Sequence, residues 1–388
     1  MIKTEGINAH KQQTLQSAFC AALIMAIGMG FGRFAFTAVY PHMIEEDILN
    51  LHSASVAASA NYAGYLFGAL FAIKIQSQHS YFTCVFATVG TALCLTLLAY
   101  VDSASVIIFI RGLAGVLSAF AMISASLWLL EQQKQVHQAP ILYAGVGLGI
   151  ALSAELLVFG TELGWQSKSL WLLLGLSSFV LGFAAIVGLS RAQPRQVIES
   201  HLSHTNAKTP KAIALILIYA LAGFGYIITA TYLPLLVKQA LPNIDATHIW
   251  AIFGLGAIPS CFFWHYLHQR LGTRIALSSN LGVQAVGVVL PIMLPTTLGY
   301  LLSALLVGGT FMGTVTIAMP VAQRIAHQSK NNLIAIMTVV YGLGQIIGPI
   351  TANALFSIYH TLNSSLITAA GALLIATLMS LKSTEAIH

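Results

Sequence analysis

The sequence predicts an all-α integral membrane protein with twelve transmembrane helices, arranged as two six-helix bundles around a central cavity. The first observation is composition: 57% of the 388 residues are hydrophobic and only 7% are charged, whereas a soluble domain carries about 25% charged residues. The second is that apolar stretches of about 20 residues, the length that a bilayer core requires, recur along the whole chain. The third is a polar segment at mid-chain that divides these stretches into two groups.

Twelve apolar stretches are long enough to span a bilayer. The first is too long for the apolar core of a cleaved signal peptide, contains Arg33 and lacks a small-residue cleavage site. We therefore interpret it as a transmembrane span like the others. The predicted spans are 17–41, 54–75, 81–101, 104–129, 139–160, 169–190, 212–237, 247–268, 275–294, 299–322, 332–358 and 364–382.

The positions of Lys and Arg predict the orientation of these spans. If the N-terminus is cytoplasmic and the spans alternate, thirteen of the 17 Lys and Arg lie on the cytoplasmic side, and Lys168 and Lys238 lie outside. Cytoplasmic loops of membrane proteins carry such an excess. We therefore expect the cytoplasmic (inner) membrane, with both termini in the cytoplasm. The same bias accounts for the net charge of +6 without a nucleic-acid partner.

The longest polar stretch between spans lies at residues 191–211. We interpret it as a cytoplasmic linker between an N-terminal six-helix bundle, residues 1–190, and a C-terminal six-helix bundle, residues 212–388. Because a six-span unit returns the chain to its starting side, both bundles insert in the same orientation and meet at a central site.

An internal repeat supports this division. The motif Gly30-Phe31-Gly32 followed by Pro41 recurs as Gly223-Phe224-Gly225 followed by Pro234, at an offset of 193 residues. The offset is close to the length of one predicted bundle.

These residues resemble the major facilitator superfamily over essentially the full chain. The segment GMGFGRFAFTAVYPHM at 28–43 is similar to its YbfB/YjiJ-like branch, and Arg111 with Gly115 resembles the R-x-x-x-G pattern of span 4. Between spans 8 and 9, RLGTR is similar to the cytoplasmic D-R-x-G-R-R signature, although His268 and Gln269 stand where its acidic residue would be. The resemblance implies a gating role for Arg270, Gly272 and Arg274.

Two glycine pairs resemble the antiporter motif G-x-x-x-G-P. In span 5, Gly145 and Gly149 match its start, but Ile150 replaces the proline; in span 11, Gly344, Gly348 and Pro349 match it fully. This spacing lets helix backbones approach closely, and Pro349 can kink its helix. Because the resemblance places spans 5 and 11 against the opposite half, we expect these residues to slide during gating.

Three charged residues fall well inside the predicted spans: Arg33, Arg111 and Glu155. A charge at mid-bilayer costs about 2.5–3.5 kcal/mol on insertion scales, so it normally faces a partner or a water-filled cavity. At a rise of about 1.5 Å per residue, all three lie at similar depth in the outer half of the membrane.

We expect Arg33 and Arg111 to bind an anionic group of the substrate, because guanidinium offers a planar fork of donors for carboxylate. The resemblance implies that both can reach the substrate path. Glu155 is the candidate proton carrier, competing with the substrate for the same arginine. The structural alternatives are that Arg111 braces its helix through backbone carbonyls and Glu155, that Arg33 has a packing role, and that Glu155 snorkels to the interface.

Neutral polar residues complete the predicted substrate site. Tyr226 occupies the repeat position of Arg33, and Thr229 lies one turn further on. Pairs that share a helix face are Tyr341 with Gln345 in span 11 and Asn61 with Tyr65 in span 2. These groups either bind the uncharged part of a small polar substrate or bond to neighbouring helices.

Catalytic and metal motifs are not found. The sequence contains no P-loop, and its four cysteines all fall within spans without a C-x-x-C pair, which favours packing roles. We therefore predict neither an enzyme nor a cofactor or metal site.

The predicted function is secondary active transport of a small polar or anionic metabolite by alternating access, coupled to protons or another ion. We expect the protein to act as a monomer in the lipid bilayer. The alternatives are a proton-driven drug efflux antiporter, which the excess of arginine over carboxylate disfavours, and a non-transporting membrane sensor with the same fold.

Overall fold

The architecture is that of a computed structural model, which describes residues 2–72, 74–190, 210–241, 246–326 and 333–383. Most of the predicted linker, residues 191–209, lies outside the described residues. We call the residues up to 190 the first half of the chain and those from 210 the second half.

Within the described residues the fold is entirely helical and contains no strand. Helices lie at all the predicted spans. The α-helices are α1 (Ile2–Met25), α2 (Phe36–Glu45), α3 (Leu51–Ala72), α4 (Ser80–Leu98), α5 (Ala104–Ser126), α6 (Ala139–Glu162), α7 (Ser167–Ser190), α8 (Pro210–Ala240), α9 (Ala246–Met293), α10 (Thr297–Ala326), α11 (Leu333–Tyr359) and α12 (Asn363–Ser383).

Two spans are irregular. The first consists of α1, a π-helical segment at Ala26–Phe34, and α2. The helix α9 is 48 residues long and is interrupted at Gly272, whose φ of 75° is a left-handed conformation that favours glycine. The predicted spans 247–268 and 275–294 therefore share α9, on either side of this break.

Ten helices of the described residues are long and apolar enough to cross a membrane. They include α9 as a single helix but not α3, where residues such as His52, Ser55 and Asn61 lower the hydropathy. Large apolar side chains lie on the outer surface, including Phe109 and Phe183, which are 71% and 72% exposed. A multi-pass membrane protein is confirmed, whereas the number of twelve spans stays a prediction.

The paired glycines pack within each half of the chain, which corrects the expectation that they meet the opposite half. A Cβ on Gly145 or Gly149 would overlap the α1 and π-segment backbone at Ala22 and Ala26. The second half repeats this packing: Gly344 and Gly348 lie against α8, and a Cβ on Gly344 would lie 2.6 Å from the carbonyl oxygen of Ala220.

Other residues of the same helices make the contact between halves. A Cβ on Gly147, in α6, would lie 2.6 Å from the carbonyl oxygen of Gly254, in α9. Gly147 is two residues from Gly145, so it projects from nearly the opposite face of a helix with 3.6 residues per turn. The spacing of the glycines predicts that a helix packs closely here, but it does not predict which neighbouring helix each glycine contacts.

Polar bonds between the halves concentrate at one end of the molecule, which we call the first-loop end because residues 46–50 connect the first two spans there. Lys238 at the end of α8 pairs with Glu45 at the end of α2, with 2.6 Å between Nζ and Oε2. Further bonds across the halves at this end are Tyr40–Thr231, Ser55–Tyr232, Tyr62–Thr231 and His52–Asn353. These bonds hold the halves together at the first-loop end.

Candidate substrate-binding site

Three glycines of the π-helical segment bring the first span against three neighbouring helices. A Cβ on Gly28 would overlap Ala121 of α5, one on Gly30 would overlap Gly149 of α6, and one on Gly32 would lie 2.7 Å from Thr91 of α4. Stretches of π-helix within α-helices occur frequently at functional sites. The glycine spacing thus places the segment that carries Arg33 at the centre of the first half.

Arg111 braces the end of the π-helical segment. Its Nη1 donates to the carbonyl oxygen of Gly32 at 2.7 Å, and its Nη2 donates to the carbonyl oxygen of Arg33 at 2.9 Å. The guanidinium also lies 4.6 Å from the centre of the Phe36 ring, and the residue is 1% exposed. The donors of both Nη atoms therefore point at the backbone of the first span. Arg111 thus has the bracing role considered as an alternative, but it braces the first span and not its own helix.

Asn61 supports the same brace. Its Nδ2 donates to the carbonyl oxygen of Arg111 at 2.9 Å and, more weakly, to that of Gly32 at 3.4 Å. The side chain is fully buried. Asn61 and Arg111 thus fix the backbone of the first span, and their contacts differ from the substrate contacts predicted for them.

The guanidinium of Arg33 points into the contact between the halves. Its Nη2 donates to Oε1 of Gln345, in α11, at 2.5 Å. The same group lies 4.1 Å from the ring centre of Tyr65, 4.9 Å from that of Tyr62 and 5.5 Å from that of Phe34. Cation–π attraction acts at these distances, so three aromatic rings and one amide surround this charge.

Two donor nitrogens of Arg33, Nε and Nη1, are buried and have no hydrogen-bond partner. Arg33 and Arg111 are also the only Arg, Lys, Asp or Glu side chains that are buried among the described residues. Neither of them makes an ion pair with a described carboxylate. Because an unsatisfied buried donor costs about 1–3 kcal/mol and more when charged, this arrangement favours an anion at Arg33.

Gln345 connects Arg33 with the aromatic residues of the second half. While its Oε1 accepts from Arg33, its Nε2 donates to the hydroxyl of Tyr226. The Tyr226 ring stacks on Tyr341, with 5.8 Å between ring centres, and on Phe311, with 5.4 Å. The predicted residues Arg33, Gln345, Tyr226 and Tyr341 are therefore brought together.

Tyr65 is the least buried of the three rings around Arg33. Phe34, Tyr62 and Gln345 are buried to 2% exposure or less, whereas Tyr65 is half-buried and has accessible surface. The Tyr65 hydroxyl donates to Sδ of Met122 at 2.7 Å, and a thioether is a weak acceptor. The Tyr65 ring is therefore held in place by no strong hydrogen bond.

Thr229 lies apart from the contacts made by Arg33. Its side chain is fully buried in α8, and its hydroxyl has no hydrogen-bond partner. Its hydroxyl is therefore not hydrogen-bonded to Gln345 or Tyr226.

Glu155 is exposed, which corrects the expectation of a buried carboxylate beside an arginine. Its side chain is 55% exposed, and Oε1 lies 3.3 Å from Nδ1 of His248, in the second half. The neighbours Ser153 and Ala154 are fully buried, whereas Glu155 lies at the exposed edge of the contact between α6 and α9. Its partner is a histidine of the other half rather than Arg33 or Arg111.

The residues of the predicted gating loop lie at the break in α9. The Arg270 guanidinium lies 4.8 Å from the Tyr266 ring centre. His268, at the position of the missing acidic residue, is hydrogen-bonded through Nε2 to Oγ1 of Thr273 at 3.0 Å, across Gly272. This bond ties the two parts of α9 together.

Three aromatic residues of the site, Phe34, Tyr62 and Phe311, were not predicted from the sequence. Tyr62 lies three residues before Tyr65 in α3, which puts both rings on one helix face, so this signal was present. Phe311 carries no comparable signal, because an aromatic residue in an apolar span is indistinguishable from a lipid-facing one until the neighbouring helix is placed.

Comparison with known protein families identifies a match over most of the chain. The sequence model of the family described as "Uncharacterised MFS-type transporter YbfB" matches residues 25–381, which is nearly the whole chain. No curated protein matches the chain.

Proposed function

The chain belongs to the family of YbfB-like MFS-type transporters, and we propose that it is a secondary active transporter that moves a small organic anion across the cytoplasmic membrane by alternating access. The two halves of the chain act as the two six-helix bundles, with both termini in the cytoplasm. The protein works as a monomer. Arg33 binds the anion between the halves.

The observation that carries this proposal is the state of Arg33. It is a buried cation with two unpartnered donor nitrogens, and none of the described carboxylates pairs with it. It belongs to the first half, and its hydrogen-bond partner Gln345 belongs to the second half. An anion that binds there would compete with Gln345, so binding and the contact between the halves are linked.

The bonds between the halves support alternating access as the mechanism. Ion pairs and hydrogen bonds such as Lys238–Glu45 and Ser55–Tyr232 close the first-loop end. These bonds join side chains of different halves, so they can break while each half stays intact. In the opposite conformation, the first-loop end opens and the glycine contacts around Gly147 and Gly254 shift.

Glu155 and His248 are the residues that we propose for coupling to protons. Both side chains are about half exposed and face each other across the halves. Protonation of Glu155 removes its negative charge and weakens its attraction to a protonated His248. Proton uptake would therefore favour separation of the halves at this contact.

Flux measurements on the full-length protein in liposomes test the proposal. A transporter exchanges a labelled organic anion across the membrane in a counterflow assay, and the exchange exceeds that of empty liposomes. Binding of the anion without any flux would identify a sensor instead. Flux of lipophilic cations in place of anions would identify a drug exporter.

A further inference from the structure

We propose that the transported anion is an aromatic carboxylate, whose carboxylate group binds Arg33 and whose ring lies between Tyr65 of the first half and Tyr341 of the second. The inference rests on the proposed function and specifies the substrate class of the same site. It follows from the charge of the site, from its accessible rings and from the absence of accessible free amide groups among its described residues.

The charge of the site excludes amines and zwitterions. Among the described residues, no buried Asp or Glu is available to bind an ammonium group, whereas two arginines are buried. An amino acid would bring its own ammonium into this environment, where nothing described compensates the loss of hydration. A carboxylate without an amine brings the charge that Arg33 lacks.

The accessible surface of the site is aromatic. Tyr65 covers the guanidinium of Arg33 at 4.1 Å and is half-buried. From the second half, the half-buried Tyr341 stacks on both Tyr219 and Tyr226, with 4.4 and 5.8 Å between ring centres, so its edge is the part that a ligand can contact. Aromatic rings prefer stacked or edge-to-face contacts with other rings, so a planar ligand that reaches Arg33 meets a ring on each half.

The polar groups of the site are either engaged or, like the free oxygens of Asn61 and Thr229, fully buried. Gln345 uses its oxygen for Arg33 and its nitrogen for Tyr226, and Asn61 uses its nitrogen for backbone carbonyls. A sugar or other polyhydroxylated ligand needs several free donors and acceptors in a desolvated site. The site offers it rings but few such groups, which favours an apolar ligand body with a single anionic end.

A ligand of this kind can replace the contacts that it breaks. When Tyr65 moves aside, Arg33 loses its closest ring, and a charge-assisted hydrogen bond to the carboxylate compensates this loss. The carboxylate accepts this bond from Nε or Nη1, which have no partner, and the ligand ring can then contact the displaced Tyr65 ring. Because the two tyrosines come from different halves, the same ligand also contacts both halves.

Binding to purified, full-length protein by calorimetry tests the substrate class with four probes: benzoate, cyclohexanecarboxylate, acetate and benzylammonium. We expect benzoate to bind about tenfold more tightly than cyclohexanecarboxylate, and benzylammonium not to bind. The comparison isolates the aromatic ring, since both acids carry one carboxylate on a six-membered ring. Equal or tighter binding of cyclohexanecarboxylate would overturn the proposal.

Variants locate the effect. Tyr65→Leu and Tyr341→Leu should each reduce the preference for benzoate to about twofold or less while cyclohexanecarboxylate still binds, and Tyr65→Phe should retain it. Tyr359→Leu is the matched control, because Tyr359 is 60% exposed at the end of α11. An unchanged preference in both leucine variants would show that the ring binds elsewhere and would refute the site.

Counterflow in liposomes separates this inference from the proposed function. If cyclohexanecarboxylate and benzoate are exchanged equally well, the protein is an anion transporter but the aromatic assignment is wrong. If none of the three carboxylates is bound or exchanged, both the substrate class and the anion-transport proposal fail.

Discussion

Arg33 donates from Nη2 to Oε1 of Gln345 at 2.5 Å, and this bond joins the first half of the chain to the second within a buried environment. Guanidinium has only donors, so the amide oxygen must face it, and the amide nitrogen is then free to bond to Tyr226. The orientation of one side chain thus orders the polar contacts on both sides of the site.

Arg33→Ala should abolish anion flux and leave the fold intact. The removal of a buried charge with two unpartnered donors lifts a desolvation cost, which offsets the loss of the Gln345 hydrogen bond and of the ring contacts. Thermal unfolding in detergent should therefore show an unchanged or slightly raised Tm, while counterflow falls to the level of empty liposomes. The control is Lys168→Gln, which removes an exposed cation paired with Asp102; normal flux in Arg33→Ala would exclude the anion-binding role.

Arg111→Met should lower the stability of the protein, in contrast to Arg33→Ala. It removes two charge-assisted hydrogen bonds to the carbonyl oxygens of Gly32 and Arg33, each worth about 1.5–3 kcal/mol, and leaves those oxygens unsatisfied at the π-helical segment. We expect a Tm several degrees below that of the wild type, measured by the same unfolding assay. A stable Arg111→Met variant that has lost only transport would show that Arg111 binds substrate and does not act as a brace.

Glu155→Gln should remove the dependence of flux on the pH gradient while exchange of substrate at equal pH continues. The substitution keeps the shape of the side chain and removes its titration, and the pairing with His248 loses its charge. Uptake should be measured with and without an imposed pH gradient, alongside a pH-sensitive dye inside the liposomes. Glu162→Gln, a second carboxylate near the end of α6, is the control. Persistent proton movement in Glu155→Gln would assign coupling to another group.

Gly147→Ala should impair transport more than it impairs folding. A methyl group at Gly147 would lie 2.6 Å from the carbonyl oxygen of Gly254, in the other half, so it pushes the halves apart where they pack most closely. Gly145→Ala, by contrast, would clash with the backbone at Ala22 inside the first half and should lower Tm. Both effects are read from counterflow and thermal unfolding.

Gly371→Ala is the control for both glycine variants. It has open space around its Cβ position, and Ala in place of Gly stabilises a helix where there is room, by about 0.4–1 kcal/mol. Its flux should equal that of the wild type. If Gly145→Ala and Gly147→Ala change flux and Tm to the same extent, their effects do not depend on whether the contact lies within a half or between the halves.

The sequence by itself determined the class of the protein and the location of its helices. Low charge and repeated apolar stretches leave lipid as the only solvent that suits this surface, and the length of each stretch follows from the thickness of a bilayer. The buried arginines Arg33 and Arg111 were also identifiable, because a charge in an apolar span is expensive and therefore conspicuous.

Only the tertiary structure decided what each of these residues contacts. Arg33 and Arg111 look equivalent in the sequence. In the structure, the π-helical segment directs the Arg33 side chain towards the second half, and the backbone carbonyls of the same segment accept hydrogen bonds from Arg111. Glu155 and the paired glycines were placed wrongly for a related reason. Spacing along a helix fixes which residues share a face, whereas the neighbour that this face meets depends on how distant helices pack.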